Sequence, residues 1–181
     1  AANKSAEAID LVILGSSNMQ RSYPAMAVEV QQLLGISGYG YDMNVACSTA
    51  TFAIINAYNA IKAGNAKSVL VVNPEFTTPQ LDYTNRDSHF IFGDVATAVV
   101  IENAETATSK CQFKIVNTDQ LTKYSTNIRC SHSYVDHCYD ELPEDNSFFF
   151  QEGRKVFKEL LPIVTKTIAA HLDENQWPVE A

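Results

Sequence analysis

Long apolar runs are missing from this sequence. No stretch approaches the roughly eighteen consecutive apolar residues of a membrane helix, so no membrane span is expected. Basic residues are scarce: 13 Lys and Arg stand against 21 Asp and Glu, a formal charge of -8. A nucleic-acid binder usually carries a basic stripe, and this balance argues against nucleic acid as a partner. The four cysteines, Cys47, Cys111, Cys130 and Cys138, are too few for a disulfide scaffold over 181 residues. The opening AANKSAEAIDLVILG lacks the basic region and apolar stretch of a signal peptide. A soluble cytoplasmic protein with reduced thiols is therefore expected. There is no internal repeat, low-complexity tract or heptad array. What the sequence does have is 46% apolar and 19% charged residues. That composition excludes a disordered or fibrous chain and predicts a packed core.

The apolar residues fall into short blocks. Ile9 to Gly15 (IDLVILG) reads as a buried strand that feeds a Ser-Ser loop. In PAMAVEVQQLLG, Pro24 marks the start of a helix and Gly35 its end. The run YDMNVAC leads into STATFAIINAYNAIKAG, a helix apolar on most sides, expected to be buried and to stop at Gly64. Ser68 to Asn73 and Ala96 to Glu102 read as further strands, and Phe113 to Val116 as a fourth. Apolar strands separated by helices predict an α/β fold with a sheet covered on both faces.

Residues 121–147 break this pattern. They are polar, and after Ser131 they hold five acids and no Lys or Arg, which reads as a long surface excursion. Cys130, His132, His137 and Cys138 lie within nine residues there, but their irregular spacing does not match a zinc site. Helical periodicity returns from Glu152 to Leu172, with Pro162 predicting a kink or break. Both ends are abrupt for a parallel sheet, which points to a piece of a longer protein.

Cys47 is the most informative residue. The small-residue turn ACSTA joins an apolar strand to a helix and sets the sulfur near a helix N-terminus. Unpaired N–H groups and the helix dipole favour thiolate there, the form that acts as nucleophile. The alternative is a small core cysteine, since free Cys is among the most buried residue types.

The segment DMNVACSTATFAIINAYNAIKAGNAKSVLVV resembles the nucleophile segment of the type III β-ketoacyl-acyl-carrier-protein synthases, in the thiolase superfamily. Ser22-Tyr23-Pro24, followed by a helix and LLGI, resembles the segment before the family's nucleophile strand. DYTNRDSHFIFGDVATA, from Asp82 to Ala98, resembles its Asp-x-Thr-x-Arg … Phe-Gly-Asp-Gly-Ala-Gly-Ala segment. The resemblance is good from Ile9 to about Glu102, loose from Phe148 to Leu172 and absent between.

The resemblance implies part of a layered αβαβα fold. Residues 1–105 would be the nucleophile-bearing part of the first half, and 106–181 the beginning of the second. It implies that Cys47 takes an acyl group from acyl-CoA and that the acyl-enzyme condenses with malonyl-acyl carrier protein. No metal or organic cofactor is implied. Phe92 would lie along the acyl pocket, Arg86 would contact the CoA nucleotide, and Tyr23 would reach into the partner's pocket in a homodimer. Lys158, with Arg154 on the same helix face, would meet the acidic carrier protein.

Two departures stand out. Val95 and Thr97 replace glycines of the family motif. The family's catalytic His and Asn segments have no counterpart here: His89, His132, His137 and His171 match neither. These departures keep two other expectations open: an acyltransferase acting on a secondary-metabolite acceptor, and a non-catalytic fragment or scaffold of the dimer.

Overall fold

The core is built on one strand. In β1 (Leu11–Gly15) every residue is buried, because helices pack on both faces of its sheet. A computed structural model describes residues 2–130 and 148–179. The rest of the 121–147 excursion, including His132, His137 and Cys138, lies outside the described residues. The chain divides into two compact units: Ala1–Thr77 with Gly93–Thr118, and Thr78–Phe92 with Asp119–Ala181.

The first unit is a helix–sheet–helix sandwich. Its elements are β1, α1 (Met26–Leu34), β2 (Tyr39–Met43), α2 (Thr49–Lys62), β3 (Ser68–Glu75) and β4 (Val95–Glu102). The sheet order is β2-β1-β3-β4. β1 pairs parallel with β2 and β3, while β4 pairs antiparallel with β3, Val71 facing Val99. The sheet is thus mixed rather than wholly parallel: no long helix intervenes between β3 and β4 to carry the chain back. Alternation along β1 and β3 sends Leu11, Ile13, Val69 and Val71 against Ala53 and Ala57 of α2. Val12 and Leu14 point the other way, against Ala27 of α1 and Ile36.

The C-terminal ends of the helices follow the sequence signals, whereas α1 starts two residues beyond Pro24, the expected start. Gly35 (φ 72°) and Gly64 (φ 77°) take the left-handed conformation that ends α1 and α2. α1 begins at Met26, and Ala25 offers no capping side chain. The Asp42 carboxylate on β2 serves instead, accepting the N–H groups of Met26 (2.8 Å) and Ala27 (2.7 Å). α2 buries Thr49, Ala53 and Ala57 along one face and Ile55 on the opposite one. The expected strand at Phe113–Val116 does not form, and Phe113 is 92% exposed. Three apolar residues and Lys114 make a strand only beside a partner strand, and none pairs with them among the described residues.

The second unit has a short antiparallel pair, β5 (Ile128–Arg129) and β6 (Phe150–Gln151), followed by the 22-residue helix α3 (Gly153–Glu174). Pro162 does not break α3. It removes one backbone N–H, and the bonds on either side carry the helix through. Glu159 on α3 accepts hydrogen bonds from Ser125 Oγ (2.7 Å) and Asn127 Nδ2 (2.6 Å), tying the preceding loop to the helix.

Candidate active site

The turn from Asn44 to Thr49 carries Cys47 from the end of β2 to the start of α2. Ala46, just before the cysteine, has φ 47°, a left-handed backbone that a residue with a Cβ rarely adopts. Side chains hold it there. Asn44 Oδ1 accepts the Ala46 N–H at 2.8 Å, and Asn44 Nδ2 donates to the Ser17 carbonyl at 3.2 Å. Thr49 Oγ1 donates to the Ala46 carbonyl at 2.6 Å and accepts the Val45 N–H at 2.7 Å. The outcome is an exposed Cys47 two residues before α2 begins. The alternative of a buried core cysteine does not hold.

Beneath the turn the packing is close. Thr49 is 1% exposed. A Cβ added at Gly15 would stand 2.7 Å from Thr49 Cγ2 and 2.9 Å from Asn73 Nδ2, so only glycine fits at the end of β1. The Asn73 amide donates to the Gly15 carbonyl at 3.0 Å. Glu75, at the end of β3, accepts the Ser17 hydroxyl at 2.7 Å. Tyr23 is in this unit as well, 85% exposed ahead of α1.

The remaining candidates are in the second unit. Arg86 and Phe92 lie on the segment 78–92, whose base is closed within the first unit by Thr77. The Thr77 N–H donates to Asp94 Oδ1 (2.8 Å), and its hydroxyl donates to the Gly93 carbonyl (3.1 Å). The Asp-x-Thr part of the motif is a local turn: Asp82 Oδ1 accepts both the N–H (2.8 Å) and the hydroxyl (2.6 Å) of Thr84. Asn85 Oδ1 accepts the Asp87 N–H at 2.9 Å. These turns leave Arg86 exposed. Phe92 is half-buried, with its ring edge-on to Phe149 at 4.6 Å between centroids. Phe149 is buried, and its N–H donates to the Gln80 carbonyl at 2.8 Å.

Arg154 and Lys158 are exposed, one turn apart on α3. Arg154 helps line a surface depression with Asp87, Phe150 and Glu152. Lys155, between them, pairs with Glu152, so part of the positive charge on this face is neutralised. Among the described residues no three His, Cys, Asp or Glu side chains gather as a metal site, and no helix is long and apolar enough to cross a membrane.

The comparisons with known proteins reach most of the chain. Residues 41–120, which include Cys47, Arg86 and Phe92, match the family described as 3-Oxoacyl-[acyl-carrier-protein (ACP)] synthase III. A Pseudomonas aeruginosa protein named beta-ketodecanoyl-[acyl-carrier-protein] synthase is 52% identical over 176 residues, 97% of this chain and 50% of its own length. The chain belongs to the 3-oxoacyl-acyl-carrier-protein synthase III family. The 3-oxoacyl-acyl-carrier-protein synthase III of Aquifex aeolicus superposes with a TM-score of 0.70 at 29% identity, covering 86% of this chain and 46% of that one. The corresponding Pseudomonas aeruginosa enzyme gives 0.79 at 22% identity, covering 93% and 51%. The fold is accordingly the thiolase-like α/β fold of these synthases. The chain spans about half the length of the relatives it matches.

Sequence reasoning passed over Asn44, Thr49 and Asn73. A signal existed for two of them: a side chain able to cap a backbone flanks ACS on each side, as turns with unusual φ require.

Proposed function

We propose that this chain carries the acyl-accepting half-reaction of a β-ketoacyl-acyl-carrier-protein synthase. The observation that supports it is Cys47, exposed on a strained turn at the start of α2, within the segment the family model covers. The Cys47 sulfur attacks the carbonyl carbon of an acyl-CoA. The bond from that carbon to the CoA sulfur breaks, its electron pair leaves on sulfur, and the proton lost by Cys47 ends on the CoA thiol. The Cys47 N–H is one donor to the oxyanion formed in passing. In condensation, malonyl-acyl carrier protein loses CO₂, and the resulting enolate carbon attacks the Cys47 thioester and releases the thiol.

Phe92, backed by Phe149, contacts the acyl chain, and Arg86 contacts the CoA nucleotide. Tyr23 serves the partner's pocket in a homodimer. Lys158 and Arg154 receive the acidic carrier protein. The reaction needs no metal or organic cofactor, and the assembly acts in the cytoplasm. The relative sharing 52% identity is named for a ten-carbon β-keto product. Malonyl extension adds two carbons, so we assign this chain an eight-carbon acyl-CoA primer.

The test is incubation of the 181-residue chain with radiolabelled octanoyl-CoA, with and without malonyl-acyl carrier protein. Stoichiometric label on Cys47, lost in Cys47→Ser, is expected. β-Ketoacyl product is not expected from this chain alone. The enolate oxygen needs donors of the His and Asn kind, and losing one such donor costs roughly a hundred- to a thousandfold. Label on Cys111, Cys130 or Cys138 instead would overturn the assignment.

A further inference from the structure

The Cys47 turn contains a side-chain clamp with no assigned role. We infer that Thr49, assisted by Asn44, is a positioning residue that aims the Cys47 thiol for acyl transfer; this rests on Cys47 being the acyl acceptor.

The argument starts from Ala46. A non-glycine residue at φ 47° is held against its preference, and it persists only where neighbours over-determine the backbone. Four hydrogen bonds do so. Asn44 Oδ1 takes the Ala46 N–H, and the Ala46 carbonyl accepts both Thr49 Oγ1 (2.6 Å) and the Thr49 N–H (3.1 Å). The same Thr49 oxygen accepts the Val45 N–H at 2.7 Å. One hydroxyl therefore grips the Asn44–Val45 and Ala46–Cys47 peptides. It is fixed in turn, because its methyl fills the space above Gly15 and its residue is 1% exposed.

Cys47 is the next residue along the chain. Its Cα–Cβ direction follows from the backbone that Thr49 fixes. An attacking sulfur must meet a thioester carbonyl at close range and in line, and misplacing a reacting group by an ångström costs up to about a hundredfold. The partners of the Thr49 hydroxyl are backbone groups of Val45 and Ala46, so it acts through the turn.

The decisive pair is Thr49→Val, which keeps the shape and removes the hydroxyl, against Thr49→Ser, which keeps the hydroxyl and removes the methyl. Single-turnover acylation of Cys47 by octanoyl-CoA in the 181-residue chain should slow roughly ten- to a hundredfold in Thr49→Val. Thr49→Ser should stay within about threefold of the parent, because it retains both hydrogen bonds. Amide exchange over residues 44–48 should quicken in Thr49→Val and not in Thr49→Ser. Should Thr49→Val fail to fold by circular dichroism, Asn44→Ala releases the Ala46 N–H from an exposed position and should slow acylation in the same direction. Acylation at the parent rate in the hydroxyl-less variant, or equal slowing in both Thr49 variants, would overturn the inference. If the parent chain itself is not acylated at Cys47, the acyl-acceptor reading fails instead. The exchange comparison then decides whether the clamp exists, and unchanged exchange overturns it.

Discussion

β1 and α3 are both patterned with apolar residues, yet their environments are opposite. All five residues of β1 are buried, whereas no residue of α3 is. Phe157, Leu160, Leu161, Val164 and Ile168 form one stripe on α3, and Phe157 is 63% exposed. An apolar stripe therefore states what a helix is able to bury, and only a facing layer makes the burial real. β1 has helices on both faces of its sheet and so realises the full transfer free energy of its side chains.

The largest effect that tests this contrast is on stability. Ile13→Ala removes a wholly buried side chain from between sheet and α2 and should cost about 2–5 kcal/mol. Leu161→Ala on α3 removes a half-exposed one and should stay within about 0.5 kcal/mol. Urea unfolding followed by circular dichroism reads both. A Leu161→Ala loss as large as that of Ile13→Ala would mean that the α3 stripe is covered in solution, and the contrast would break.

A second, smaller effect separates two glycines. At Gly15 a methyl would collide with Thr49 and Asn73, while at Gly93 it would meet nothing within 4 Å. Gly15→Ala should cost about 1–3 kcal/mol as an overpacked site. Gly93→Ala should be neutral within about 0.5 kcal/mol. Because Gly15 supports Thr49, the first variant should also slow Cys47 acylation and the second should not. Equal stability of the two variants would show that the floor under the Cys47 turn yields.

These contrasts mark what the sequence carried and what it did not. Buried strands were legible because both faces of a covered sheet write unbroken apolar runs, as LVILG and SVLVVN do. Helix ends were legible because Gly35 and Gly64 supply a conformation other residues resist. The position of Cys47 followed from small residues at a strand-to-helix junction. The antiparallel course of β4 was not legible, since strand direction depends on the connection and not on the strand. The Phe113–Val116 strand failed for a related reason: pairing is a property of two segments. Capping of α1 by Asp42 and clamping of Ala46 by Asn44 and Thr49 were hidden because polar residues near turns are common, and only the fold says which backbone group each one meets.

The smallest effect contrasts the centre of the sheet with its edge. Tyr41 lies on β2, the outer strand opposite Ile13, with Tyr39 two residues away on the same face. Partial burial, and then the charge of Tyr39 once ionised, raise the Tyr41 phenol above its ordinary value of 10.0. The folded chain thus holds this proton to higher pH than the unfolded chain does. Below about pH 10 both states keep it, and Tyr41 adds no pH dependence. As pH rises past the unfolded value, the unfolded state releases its proton first and stability declines until the folded phenol ionises too. Tyr41→Phe removes this decline. Urea midpoints measured on either side of about pH 10 should therefore fall less in the variant than in the parent. Equal falls would mean that the edge of the sheet is as open to water for Tyr41 as the unfolded chain is.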